Sequence, residues 1–288
     1  MTYRRRPSSL HAAAAGAALG WCAALALALI VQSNPVVLGA LTLTIIAAGA
    51  LAGVGAELLR ALRLAVPLAL TICLINALVS RNGLTVIWRF GDLPILGQTN
   101  VTLEATVYGA VFGLRAAALV LLGALYSLAV DPDQVLMLFR RWSFRSALSA
   151  TIATRMVPVL LRDSKRLADA QRCRPGAAPG RLALMRATTA GVLDRALDVA
   201  AALEVRGYAT AVHAPRRDRR AASRHDIGFS LAGAGVAIVA VVGRVAGWCP
   251  FSAYPLLRAP AGARELTVAF LLMALALAPF ADRRGIRG

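Results

Sequence analysis

The residues best placed to do chemistry are arginines. Ala168-Asp169-Ala170-Gln171-Arg172-Cys173-Arg174-Pro175-Gly176 and Ala201-Ala202-Leu203-Glu204-Val205-Arg206-Gly207-Tyr208 end alike, so that Arg174 and Arg206 stand 32 residues apart. A guanidinium fixed at a helix end suits docking into an acidic groove, because its planar fork gives carboxylates directional, charge-assisted hydrogen bonds. The ordinary explanation is local: arginine near a helix C-terminus is favoured by the dipole by about 0.3–1 kcal/mol, and glycine after it is the usual left-handed cap.

Other chemistry finds little support. No GxxxxGK[ST] occurs, and Lys165, the single lysine, is not in a glycine-rich loop, so ATP hydrolysis is not expected of this chain. His11, His213 and His225 are isolated, and Cys22, Cys73, Cys173 and Cys249 show no CxxC spacing. No catalytic residue, metal site or cofactor is predicted. Asp194 and Asp198 share a helix face at i,i+4 and keep open an intramembrane lipid-processing enzyme using aspartate-bound Mg²⁺. Arg195 beside them and the lack of a DDxxD or DGxxAR run argue against it.

The elements that must carry these residues are mostly apolar. Of 288 residues, 58% are hydrophobic and 16% charged, against about 45–50% and 25% in soluble domains, and mean hydropathy is +0.66. A multi-spanning, all-α membrane protein follows. Apolar stretches over Leu10–Val31, Val36–Ala56, Leu64–Val79, Leu103–Val130, Ile227–Val245 and Leu266–Phe280 predict about five to six spans. The first is too long for a signal-peptide core and lacks a cleavage site, so it is expected to be retained. Gln32-Ser33-Asn34-Pro35 ends it, and Glu57, Arg60 and Arg63 suggest a polar return before the third span. Thr85–Phe90 has strand character, with Gly91-Asp92 as a hairpin turn. The chain thus divides into an N-terminal bundle over 1–130, a charged segment over 131–226 and C-terminal spans over 227–288.

A net charge of +18 would suggest nucleic acid in a soluble chain, but in a membrane protein cations gather in cytoplasmic loops, so no nucleic-acid partner is expected. Asp131–Asp226 holds 18 Lys/Arg and 9 Asp/Glu. With the N-terminus inside, the outer loops keep only Arg81, Arg89, Arg258 and Arg264, which predicts both termini and the charged segment in the cytoplasm. Arg115 falls inside the fourth span, where a charge costs at least about 2.5–3.5 kcal/mol. It is expected to meet a backbone carbonyl or to tie that span to its neighbours.

Two amphipathic helices are predicted in the charged segment. Ser146–Arg172 aligns Leu148, Ile152, Met156 and Leu167, interrupted by Pro158, which removes a donor and marks a hinge. Leu182–Arg206 aligns Leu182, Met185, Thr189, Val192 or Leu193, Ala196, Ala200 and Leu203.

These helices resemble the coupling helices of the transmembrane T component of energy-coupling factor (ECF) transporters, the EcfT/CbiQ family. Leu203-Glu204-Val205-Arg206-Gly207-Tyr208 is similar to the second Ala-Arg-Gly motif, with Val205 for alanine; Ala170-Gln171-Arg172-Cys173-Arg174-Pro175-Gly176 is similar to the first, with Cys173 for alanine and Pro175 where glycine is usual. Asp131-Pro132-Asp133-Gln134, Arg155-Met156-Val157-Pro158 and Asn34-Pro35 also resemble the family. The likeness covers roughly 30–280 and is most specific over 145–208. It implies a non-catalytic subunit of a vitamin or metal-ion importer in the inner (plasma) membrane. Arg174 and Arg206, with Gln171, Glu204 and Gly207, would meet two ABC-type ATPase subunits, while the apolar helix faces would hold a substrate-binding S component within the lipid bilayer. The permease subunit of another ABC importer is the alternative of the same class.

Overall fold

The computed structural model describes residues 6–80, 85–93, 97–139, 144–173, 181–207, 223–252 and 262–282. It resolves into two compact units, Met1–Pro132 with Ala221–Gly288, and Asp133–Arg220.

The first unit is a bundle of six apolar helices, α2 (Ala15–Val31), α3 (Pro35–Leu51), α4 (Gly55–Val79), α5 (Leu103–Ala129), α9 (Arg224–Val245) and α10 (Ala263–Leu277). Four of them, with α10 extended by a 3₁₀ turn to Phe280, are long and apolar enough to cross a membrane. The 17-residue α2 and α3 are shorter, about 25 Å at 1.5 Å per residue. Asn34 accepts from the Val36 N–H at 2.9 Å, and Pro35 takes the first helical position, where its missing donor costs nothing. The break predicted at Gln32–Pro35 stands there.

The α4–α5 and α2–α9 pairs form the most extensive contacts, with α3 against α10 and α5. Small residues let α4 and α5 approach closely. A Cβ added to Gly109 would lie 2.9 Å from the Cys73 carbonyl oxygen, and one on Gly113 2.6 Å from that of Ala69. This Gly-x-x-x-Gly spacing permits backbone-to-backbone packing where burial from water supplies no drive. On the other side, Trp21 is fully buried and meets Phe229 and Phe280 edge-on, with ring centroids at 5.7 and 5.9 Å. Its indole N–H donates to the Ala276 carbonyl at 3.2 Å, so α2, α9 and α10 share one aromatic knot.

Three boundaries differ from those expected. The first span is not one helix from Leu10: a short α1 (Ser9–Ala12) is capped by Ser8, and the chain is extended at Ala13 and Ala14 before α2 begins. Asp226 fixes that break. One of its carboxylate oxygens accepts from the Ala14 N–H at 2.5 Å, while the other accepts from Ser223 N–H at 2.9 Å within the capping box of α9. Glu57, Arg60 and Arg63 do not form a polar return; the turn is Ala52–Val54, with Gly53 at φ +75°, and the three charges ride on the first turns of α4. There long side chains can reach back toward water. Gly91-Asp92 is not the hairpin turn either. Strand β1 (Val86–Leu93) runs through it, with a register irregularity between Arg89 and Asp92, to pair antiparallel with β2 (Gly97–Thr102). The buried Glu104 secures this hairpin on α5, accepting from the Thr85 N–H at 3.1 Å.

The second unit contains all but the first residue of α6 (Pro132–Phe139), with α7 (Phe144–Arg172) and α8 (Arg181–Val205). Its α7 and α8 are paired.

Candidate functional site

The α7–α8 pair carries most of the predicted site. Asp163 accepts from Arg195 Nη1 at 2.6 Å, a half-exposed ion pair that bridges the helices across 32 residues of sequence. Leu160, Leu167 and Ala170 of α7 face Ala187, Gly191 and Val192 of α8 along a groove of about 490 Å³. Because α8 turns these residues inward, Leu182, Met185, Leu193 and Leu197 fall on its far side, at intervals of three, eight and four residues. Each of these four is at least 63% exposed. Of the stripe expected from the sequence, Leu182, Met185 and Leu193 are exposed on that side, joined by Leu197, while Val192 lines the groove and Leu203 is half-buried.

None of the residues from Asp133 to Gly207 whose burial is described is buried.

The end of α8 follows from its last residues. The Arg206 N–H donates to Ala202 O at 3.2 Å and the Gly207 N–H to Glu204 O at 2.8 Å, and Gly207 has φ +72°. Only glycine takes that left-handed turn without strain, so the helix stops abruptly. Arg206 and Glu204 are left exposed beside Val205, itself 90% exposed. The Arg206 side chain has no hydrogen-bond or ion-pair partner among the described residues. Gln171 and Arg172 close α7, where Arg172 pairs with Asp169 at 3.7 Å on the open surface and Cys173 N–H donates to Asp169 O. Arg174, the other predicted contact, lies outside the described residues.

Pro158 does not interrupt α7, which runs unbroken from Phe144 to Arg172. The carbonyl of Thr154, four residues earlier, forgoes its usual donor there, and the Pro158 carbonyl accepts from Arg162 Nε at 3.2 Å.

Arg115 belongs to the first unit. Its Nη2 donates to the Gln32 carbonyl at 2.8 Å, and its guanidinium lies 5.1 Å from the centre of the Phe112 ring. The buried Gln32 side chain in turn donates to the Ala240 carbonyl at 2.8 Å. The intramembrane charge therefore ties α5 through the α2–α3 turn to α9, serving both as the carbonyl partner and as the link between spans anticipated from the sequence. Sequence reasoning did not find the Asp163–Arg195 pair, the Asp226 clamp or the Gly109/Gly113 contact. The last had a readable signal in its four-residue spacing; the others depend on which helices pair. Cys249, in the turn after α9, has its thiol pushed up by burial and by the charge of Glu265, which keeps it protonated and unreactive.

A bundle of apolar helices, four of them long and apolar enough to cross a membrane, joined in sequence to a charged helix pair, defines an all-α, multi-pass membrane protein. The chain belongs to the CbiQ cobalt transport protein family, whose pattern it matches over residues 6–216. The match takes in α1 to α8 and ends before α9 and α10. It is thus a member of a family of transport proteins, whose components work in membrane complexes. No curated protein matches the chain.

Proposed function

We propose that this chain is the transmembrane T component of an ECF-type importer, a non-catalytic subunit that passes ATP-driven motion to a substrate-binding S component. Two ABC-type ATPases would seat on the ends of α7 and α8 through Arg174 and Arg206, with Gln171, Glu204 and Gly207 shaping the contact. The single observation that carries this reading is the end of α8: Arg206, unpartnered among the described residues, projects at an abrupt left-handed turn made by Gly207. A guanidinium so held offers a carboxylate-bearing surface a bidentate contact with little further ordering.

The uncovered stripe of Leu182, Met185, Leu193 and Leu197 supports an apolar partner, which in this reading is the S component. Pro158 would let α7 yield as the ATPases close. The family's description favours a metal ion, cobalt, over a vitamin as cargo; selection of the cargo would rest with the S component. The arginine distribution supports cytoplasmic termini and a cytoplasmic second unit in the inner membrane.

The test is purification of the wild type, Arg174→Ala, Arg206→Ala and the double variant from membranes, scoring bound ABC ATPase and ATP turnover. The wild type brings the ATPases with it and the folded double variant does not. Full retention of the ATPases by the double variant would reduce both arginines to helix caps.

A further inference from the structure

Where α9 begins and α10 finishes, a cleft of about 340 Å³ is lined by Arg224, His225, Leu231, Leu275, Pro279 and Asp282. It stays open because Gly228, Ala232 and Ala278, also on its walls, put little bulk between the two helices. Both walls grade in the same direction. On α9 the polar Arg224 and His225 give way to Leu231 and Ala232 about two turns further in, and on the other wall Asp282 lies beyond Leu275, Ala278 and Pro279. The mouth therefore carries charge of both signs, while the deeper side chains are apolar. Both helices are long and apolar enough to span a membrane, so the mouth stands where hydrocarbon meets headgroups. The Arg224 side chain is exposed and forms no hydrogen bond or ion pair among the described residues. Asp226, two residues on, is already engaged by the Ala14 and Ser223 N–H groups. Asp282 is itself engaged within the chain, but a carboxylate offers about four acceptor sites and can serve a further donor.

A guanidinium and a carboxylate at the mouth of one apolar cleft match an amphiphile whose head carries both a phosphate and an ammonium. We infer that this cleft binds a phosphatidylethanolamine-type glycerophospholipid, its phosphate on Arg224, its primary ammonium on Asp282 and one acyl chain between α9 and α10 toward Leu231 and Leu275. A choline head has no N–H to give the carboxylate, and an anionic head offers Asp282 no cation at all. Entry from the bilayer is open, since Leu231 on the cleft wall is 68% exposed.

Native mass spectrometry of the full chain in detergent tests the site, with phosphatidylethanolamine, phosphatidylcholine and phosphatidylglycerol of identical acyl chains titrated in turn. The wild type is expected to hold one phosphatidylethanolamine in preference to phosphatidylcholine by about five-fold, the size of one half-exposed charged hydrogen bond, and to hold phosphatidylglycerol no more tightly. Asp282→Ala brings the ethanolamine-to-choline ratio to near unity, whereas Asp282→Glu keeps the preference and separates lost charge from lost fold. Arg224→Gln weakens both of these lipids and leaves their ratio in place. Ala278→Phe, at an exposed position on the cleft wall, weakens all three lipids. Glycerophosphoethanolamine, the same head without acyl chains, does not displace the bound lipid at equal concentration. A wild type indifferent to headgroup or preferring phosphatidylglycerol, an Asp282→Ala variant with its preference intact, undiminished binding by Arg224→Gln or Ala278→Phe, or displacement by the chainless head would each overturn the assignment.

Discussion

The two units of this protein solve burial in opposite ways. In the bundle, Trp21, Phe229, Leu25, Leu125 and Leu272 are sealed from solvent by other helices of the same chain. In the α7–α8 pair no residue whose burial is described is buried, and Leu182, Met185, Leu193 and Leu197 are each at least 63% exposed. The bundle has a sealed core, with further apolar side chains such as Leu64 and Leu70 exposed on α4; the helix pair has no such core among the residues whose burial is described. The contrast separates residues that hold the protein together from residues that serve something outside it, and substitutions can test that division.

The largest effect on stability is expected at Trp21. Trp21→Ala removes the centre of the aromatic knot and its hydrogen bond to Ala276, at a cost of about 3–5 kcal/mol, read as a lowered midpoint in thermal unfolding in detergent. Next comes Gly113→Ala, whose added Cβ would stand 2.6 Å from the Ala69 carbonyl oxygen. Forcing α4 and α5 apart costs about 1–3 kcal/mol, while Gly123→Ala on the same helix, with nothing within 4 Å of the new methyl, does not lower the midpoint and raises it slightly through helix propensity. A smaller effect belongs to the second unit. Asp163→Asn weakens an ion pair whose partners are 35% and 42% exposed, and screening limits the loss to about 0.5–1 kcal/mol. Limited proteolysis near α7 and α8 would register it. Last is Arg206→Ala, expected to move stability by less than about 0.5 kcal/mol, because the side chain is exposed and forms no hydrogen bond or ion pair with another described residue.

The same contrast explains what could be read from the sequence. Hydrophobic length gives spans directly, so the six apolar helices and the Pro35 break were legible. The Arg206–Gly207 ending was legible because its geometry is local: a helix end and a glycine that can turn left-handed. Long-range pairing leaves no such trace. Nothing in the sequence around Asp163 points to Arg195, and Asp226 reads as a cap for α9 without revealing that it also holds Ala14. Where local rules misled, tertiary context was the reason. Glu57, Arg60 and Arg63 read as a loop because charges usually leave the membrane, yet here they sit on the first turns of α4 with Arg6 beside Glu57. Gly91-Asp92 has turn chemistry, but pairing with β2 carries β1 past it. Pro158 breaks many helices; α7 continues through it and gives up one backbone hydrogen bond instead.

The central claim is that the end of α8 is a docking point for an ABC-type ATPase. Its most direct test is a photocrosslinking amino acid at position 206, in membranes from cells expressing the full complex, with Ala200 on the same helix as a second position. Illumination is predicted to give one covalent adduct from position 206 with an ATP-binding protein of the ABC class, and a weaker or different adduct from position 200. Crosslinking from position 206 to lipid alone, with the chain folded and in the membrane, would contradict the account.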